Sequence, residues 1–212
     1  VSLYNQNPQG SIDPTPVVSM AGLIPSREQI TRSTVQSEGE VLVLLGGLPH
    51  ELGGSLYIQS RFDLKTGDAP EVDLDLERKL SAFVLGQISK GRVRAAQDLS
   101  EGGLLVALAE MLFGNDCVGA DIELDAVPED SRLDALLFGE SQNRYVLSVS
   151  PDAISSLEED ARSEGVSFHC LGKVTSNSIF QLKVGMEKHL SVKVADLQEV
   201  WEKAIPEKME QA

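Results

Sequence analysis

Two short stretches hold the residue types best suited to chemistry. The first is "QDLSEGG", residues 97–103, which joins a carboxylate (Asp98), a hydroxyl (Ser100) and a glycine pair (Gly102, Gly103) to an apolar helical run. The free N–H groups of a helix's first turn attract anions, and glycines let a ligand approach the backbone closely. Asp98, at the end of a strand, has the chemistry to hold Mg²⁺, which takes carboxylate oxygens together with substrate phosphates. A second reading stays open: Ser100 or Asp98 simply caps the helix, and the glycines allow tight packing. The other stretch is "GESQNR", residues 139–144, just before an apolar strand. Glu140, Ser141 and Gln142 offer a carboxylate, a hydroxyl and an amide that could hydrogen-bond a polar small molecule, or form an ordinary polar turn.

The remaining candidates carry less. "LGGSLYIQ" (52–59) reads as a Gly-rich turn explained by packing. His50, His169 and His189 have no spacing that suggests a metal site, and the last two fall on strands. Cys117 and Cys170 match no zinc or redox spacing and read as buried thiols of a cytosolic protein. No Ser-His-Asp or Cys-His set can be assigned. "DLDLE" (73–77) and "ELDAVPED" (123–130) read as a solvated acidic face.

These stretches need a scaffold, and the hydrophobic pattern supplies one. "VLVLL" (41–45) is a core strand. Leu76, Leu80, Phe83, Val84 and Ile88 recur at helical spacing over 74–91, with Gly91 as the stop. "VRAAQ" (93–97) is a short strand, and residues 104–112 form a helix. Further strands are expected at 119–125, 144–150, 166–174, 179–184 and 189–195. Helices are expected at 151–165, with Pro151 in its first turn, and at 197–204. Strands grouped between helices favour an α+β fold, a mixed sheet with covering helices, over a doubly wound parallel sheet. Near the start, Val17–Ile24 reads as a strand pairing with "VSLY" (1–4), the tail of a larger domain. That places a boundary near Pro25.

The 212 residues carry a net charge of −15. Phosphate backbones demand a basic footprint, so neither nucleic acid nor an anionic membrane is an expected partner. No apolar run approaches the roughly 20 residues of a membrane span.

"VSLYNQ", "IDPTPVVSMAGLI", "LGGSLY", "QDLSEGG" and "GESQNR" occur in the order seen in the synthetase subunit of the phosphoribosylformylglycinamidine synthase family. This family lies within the aminoimidazole ribonucleotide synthetase superfamily. The resemblance covers nearly the whole chain and looks like its C-terminal portion. Residues 1–25 resemble the terminal hairpin of an N-terminal-type domain. Residues 26–212 resemble the second copy of the C-terminal-type domain.

The resemblance implies an ATP- and Mg²⁺-dependent C–N ligase of purine biosynthesis, acting on formylglycinamide ribonucleotide with ammonia from a glutaminase subunit. A small accessory subunit and the N-terminal half of the same chain are the other implied partners. It implies that Ser2 binds substrate. By internal duplication it also implies a metal-binding Asp98 and a substrate-binding Glu140, Ser141 and Gln142. None of the histidines falls in a motif matching the family's catalytic ones, so the chain alone is expected to be inactive. Two other readings remain open. One is a non-catalytic scaffold and interface domain of the same enzyme. The other is a selenophosphate or thiamine-phosphate synthase of the superfamily.

Overall fold

A computed structural model describes residues 5–8, 10–12, 16–24, 26–49, 51–115, 117–124 and 132–210. Ser2, "VSLY" and His50 lie outside the described residues, as does most of "ELDAVPED". The chain divides into two compact units, residues 1–30 and 31–212.

In the smaller unit, β1 (Asn5–Asn7) and β2 (Gly10–Ile12) form an antiparallel hairpin with Asn7 opposite Gly10. The expected strand at Val17–Ile24 is not formed. Residues 16–24 adopt neither helix nor strand, and Val17, Met20 and Leu23 are more than nine-tenths exposed. An apolar run becomes a strand only where a neighbouring edge takes up its hydrogen bonds and its side chains find a core.

The larger unit is built on β3 (Val41–Leu45), β4 (Val93–Asp98), β5 (Gly119–Leu124), β6 (Tyr145–Val149), β7 (Phe168–Thr175), β8 (Ile179–Val184) and β9 (Glu187–Lys193). They form one sheet in the order β4-β6-β3-β7-β5-β8-β9, antiparallel throughout except for the parallel pair β5–β8. The helices are α1 (Leu56–Phe62), α2 (Leu74–Ser89), α3 (Gly103–Leu112), α4 (Leu133–Phe138), α5 (Ile154–Glu164) and α6 (Val194–Glu210). The fold is the expected α+β arrangement of a mixed sheet covered by helices.

Strand periodicity decides which helix meets which face. Successive side chains of β3 point to opposite sides. Leu42 and Leu44 join Ala95, Val146 and Ile122 beneath α3, while Val43 and Leu45 join Leu147 and Val149 beneath α2 and α5. All four β3 residues are fully buried, so the central strand is covered on both faces. Leu80, Phe83 and Val84 anchor α2. Burial of side chains this size contributes about 1.5–3 kcal/mol each.

The termini of α2 follow local rules. Asp73 Oδ1 accepts the N–H groups of Asp75 (3.0 Å) and Leu76 (2.9 Å), and Gly91, at φ 71°, turns the chain away after Lys90. Elsewhere the structure departs from the pattern. The 151–165 run is a 3₁₀ turn at Pro151–Ala153 followed by α5. The last helix is longer than expected, running from Val194 through Pro206 to Glu210. The short α1 and α4 replace an expected turn and an unassigned stretch. Both cysteines are exposed rather than buried, Cys117 beyond α3 and Cys170 on β7.

Candidate functional site

Strand direction gathers the two chemical stretches at one end of the sheet. Asp98, the last residue of β4, pairs with Tyr145, the first of β6, and Tyr145 also pairs with Leu45, the last of β3. The Leu99 N–H donates to Arg144 O at 3.0 Å, extending this ladder one step into the loops. Asp98–Gly103 and Gly139–Arg144 are therefore neighbours because β4 and β6 are antiparallel.

The glycine pair serves geometry. Gly102 is the N-cap of α3 and offers no side chain, which corrects the expectation that Ser100 or Asp98 caps this helix. Gly103 has φ 68°, and a Cβ there would lie 2.6 Å from Gly139 O and 2.9 Å from Phe138 Cα. Only glycine allows the start of α3 to lie this close to the end of α4.

The two loops use their polar groups differently. Among the described residues, neither the Asp98 carboxylate nor the Ser100 hydroxyl has a hydrogen-bond partner, and both residues are exposed. Glu140 and Ser141 are taken up internally. Glu140 Oε1 accepts the N–H groups of Leu56 and Gly102, each at 2.9 Å, and Ser141 Oγ donates to Glu51 Oε1 at 2.8 Å. Exposed Gln142 folds its amide onto Glu140 O at 3.1 Å.

Arg144 organises this loop from beneath. It is 2% exposed, and it donates through Nε to Ser141 O (2.8 Å) and through Nη2 to Gly139 O (2.6 Å). Among the described residues its Nη1 has no partner. Burial pushes its pKa down to about 10, and the negative charge of Glu51 opposes the shift. Next to it, Glu77 accepts from the Tyr145 hydroxyl (2.7 Å), Asn143 Nδ2 (2.8 Å) and the Ser81 hydroxyl (2.9 Å). The Tyr145 bond above all holds the Glu77 carboxyl below its ordinary value, against burial, with Asn143 and Ser81 adding to the effect. Glu77 is thus a bonded part of the scaffold and not part of a solvated acidic face; Asp73 of the same stretch is a helix cap.

The sequence reading places Arg144 at the mouth of a strand without its buried anchoring role, gives Glu77 to the acidic face, and misses Glu51. The signal for the anchoring role is an arginine heading an apolar strand, where a charge is out of place unless its donors are used.

Two cavities adjoin these elements. One of about 350 Å³ lies beside the Glu140 loop, among Gly47, Pro49, Glu51, Ser141, Gln142 and Arg144. A larger one, about 810 Å³, lies between α3 and α6, bounded by Leu105, Phe113, Phe138, Trp201 and Ile205. The larger is lined almost wholly by apolar groups, with Glu110 tied to the Trp201 indole. The polar loops at the sheet end are the better place for chemistry. Among the described residues no three His, Cys, Asp or Glu side chains cluster as a metal cage. A cation at Asp98 would therefore need oxygens from a ligand as well, and the unengaged carboxylate fits Mg²⁺ bound in that way. None of the helices in the described residues is long and apolar enough to cross a membrane.

An α+β sheet carrying an acidic, Gly-rich loop at a strand end defines the class. The family model for the AIR synthase related protein, C-terminal domain, matches residues 37–185, and the chain belongs to that family. Within it, the chain is 41% identical over 206 residues to the phosphoribosylformylglycinamidine synthase subunit PurL of Brucella ovis, and equally so to that of Brucella canis. The match takes in 97% of this chain and 26% of those relatives, so the chain spans about a quarter of their length.

Solved structures of Thermotoga maritima proteins agree. Its PurL complexed with FGAR matches with a TM-score of 0.70 at 27% identity, over 81% of this chain and 30% of that one. Its PurL complexed with ATP matches at 0.63 and 27%, over 80% and 27%.

Proposed function

We propose that this chain is the C-terminal part of a phosphoribosylformylglycinamidine synthase, the ligase that converts formylglycinamide ribonucleotide to the amidine with ATP, Mg²⁺ and glutamine-derived ammonia. In this reading residues 1–25 end a preceding synthetase domain, and residues 26–212 are the second C-terminal-type domain. The glutaminase and a small accessory subunit are partners, and the cytoplasm is the setting. The likeness to PurL over 97% of the chain supports this, as does the likeness to T. maritima PurL structures complexed with FGAR and with ATP.

The observation that carries the site assignment is the contrast between the two loops. Asp98 and Ser100 are exposed and unengaged, on a loop shaped by Gly102 and Gly103. Asp98 is assigned to the cation and Ser100 to a phosphate oxygen. Mg²⁺ bound there would neutralise phosphate charge. Ser2 is assigned to substrate, and so is Gln142, whose loop is held by the internal bonds of Glu140 and Ser141. Glu140 and Ser141 are spent on internal bonds, which favours a second reading of that loop as scaffold for the catalytic half.

In the full-length protein, Asp98→Asn and Ser100→Ala are expected to weaken MgATP use by about 10- to 100-fold in kcat/KM, as loss of a charge-assisted contact does. Unchanged kinetics with unchanged folding would leave the scaffold reading. ATP-dependent phosphate release by the 212-residue chain alone, with substrate and ammonia supplied, is expected to be nil. Turnover there would place a complete site within this chain.

A further inference from the structure

The start of a helix leaves N–H groups that a ligand or water ordinarily takes up. Here one side chain takes such groups from two helices. Glu140 Oε1 lies 2.9 Å from the N–H of Leu56, the first residue of α1, and 2.9 Å from that of Gly102, the N-cap of α3. Neither N–H is served by a cap from its own helix: the Ser55 hydroxyl accepts from Ile58, and Gly102 has no side chain. The segment carrying Glu140 is itself held on both sides, because Arg144 grips the carbonyls of Gly139 and Ser141. The stacked rings of Tyr57 and Phe138, 4.7 Å apart, fix α1 against the end of α4.

We propose that Glu140 is a positioning residue whose carboxylate acts as a permanent internal anion, clamping the starts of α1 and α3 and holding the Asp98–Gly103 loop in shape. The position a phosphate would take at the start of α3 is then already filled by negative charge. A second bare anion there is repelled. The loop accepts phosphate only through a cation at Asp98 and the Ser100 hydroxyl, so it selects a metal–phosphate complex over free phosphate. This selectivity rests on the proposed nucleotide role of the loop; the clamp does not.

The test uses the ¹⁵N-labelled 212-residue chain with Glu140→Ala and Glu140→Gln. Amide exchange at both Leu56 and Gly102 should accelerate by about tenfold or more in Glu140→Ala, the loss of a hydrogen bond to a charged acceptor. Sodium formate, small enough to enter the vacated position, should restore both amides together. Inorganic phosphate should shift these two amides in Glu140→Ala and leave them unmoved in the unsubstituted chain. Unchanged exchange in Glu140→Ala, loss at one amide without the other, or phosphate shifts in the unsubstituted chain would each overturn the clamp.

Should Glu140→Ala not fold, Glu140→Gln keeps an acceptor oxygen without the charge, and the phosphate titration of the unsubstituted chain still decides. A separate arm adds Mn²⁺ with ADP and follows paramagnetic broadening around Asp98. Absence of broadening with the clamp intact sinks the nucleotide reading of the loop and leaves the role of Glu140 standing.

Discussion

Half-buried Glu77 and buried Arg144 show two opposite ways of handling a charge within the fold. Glu77 gathers three donors, led by the Tyr145 hydroxyl, and its folded pKa lies below its ordinary value of 4.5. A depressed carboxylate pKa contributes stability that is present above the unfolded value and lost as pH falls through the folded one. Glu77→Gln should therefore cost on the order of 1 kcal/mol at pH 7. In urea titrations that deficit should shrink as pH falls below 4. A deficit that stays constant down to pH 3 would contradict the assignment.

Arg144 is nearly devoid of solvent and keeps one nitrogen without a partner among the described residues, so its charge is costly; yet it holds two loop carbonyls. Truncation frees both acceptors and opens a cavity. Arg144→Ala is expected to destabilise by roughly 2–4 kcal/mol. A change below about 1 kcal/mol in chemical denaturation would show that the loop does not depend on it.

At the scale of elements, the start of α3 is tightly constrained. Gly103 combines φ 68° with a close approach to Gly139 and Phe138, whereas Gly91 combines φ 71° with open space around its missing Cβ. Both substitutions by alanine meet the left-handed penalty of about 1 kcal/mol. Only Gly103→Ala must also push α3 away from α4. We expect it to cost about 2–4 kcal/mol in all, and to disturb the Gly102 N–H contact with Glu140. Equal melting temperatures for the two variants would mean that α3 and α4 separate freely.

The longest helix, α6, is governed by different forces. Only Val194 is buried along it, and Trp201 meets Phe113 at 5.8 Å while its indole donates to Glu110. Its polar flank is laced with pairs one turn apart, such as Glu199 with Lys203.

For the whole molecule, the division at residue 30 separates a small hairpin unit from one with a two-faced core. The larger unit contains every strand of the main sheet and all six helices among the described residues. A chain beginning at Thr31 should keep the far-ultraviolet spectrum of the sheet and melt within about 3 °C of the 212-residue chain, because among the described residues no core side chain comes from residues 1–30. Loss of cooperative melting would make the first thirty residues part of the folding unit.

Several features are local, and these were legible from the sequence. Apolar alternation and helical spacing placed β3, α2, α3 and β8, because those periods are set by the backbone itself. The acidic Gly-rich loop and the Glu-Ser-Gln turn could be singled out by residue type. Their meeting at one sheet end could not, since it depends on β4 and β6 pairing across almost fifty residues. The short α1 and α4 have few residues with which to announce themselves, and α1 is anchored by Glu140 from 84 residues away. The exposure of Cys117 and Cys170 and the unpaired Val17–Ile24 show that hydrophobicity names candidates for burial without saying which find a partner surface. What the sequence by itself determined was the period, the glycine stop of α2 and the inventory of reactive groups, all set within a few neighbouring residues. Only the tertiary structure decided which groups stay open to a ligand and which are consumed: Asp98 and Ser100 face outward, while Glu140 is spent on two distant N–H groups, because long-range pairing fixes who meets whom.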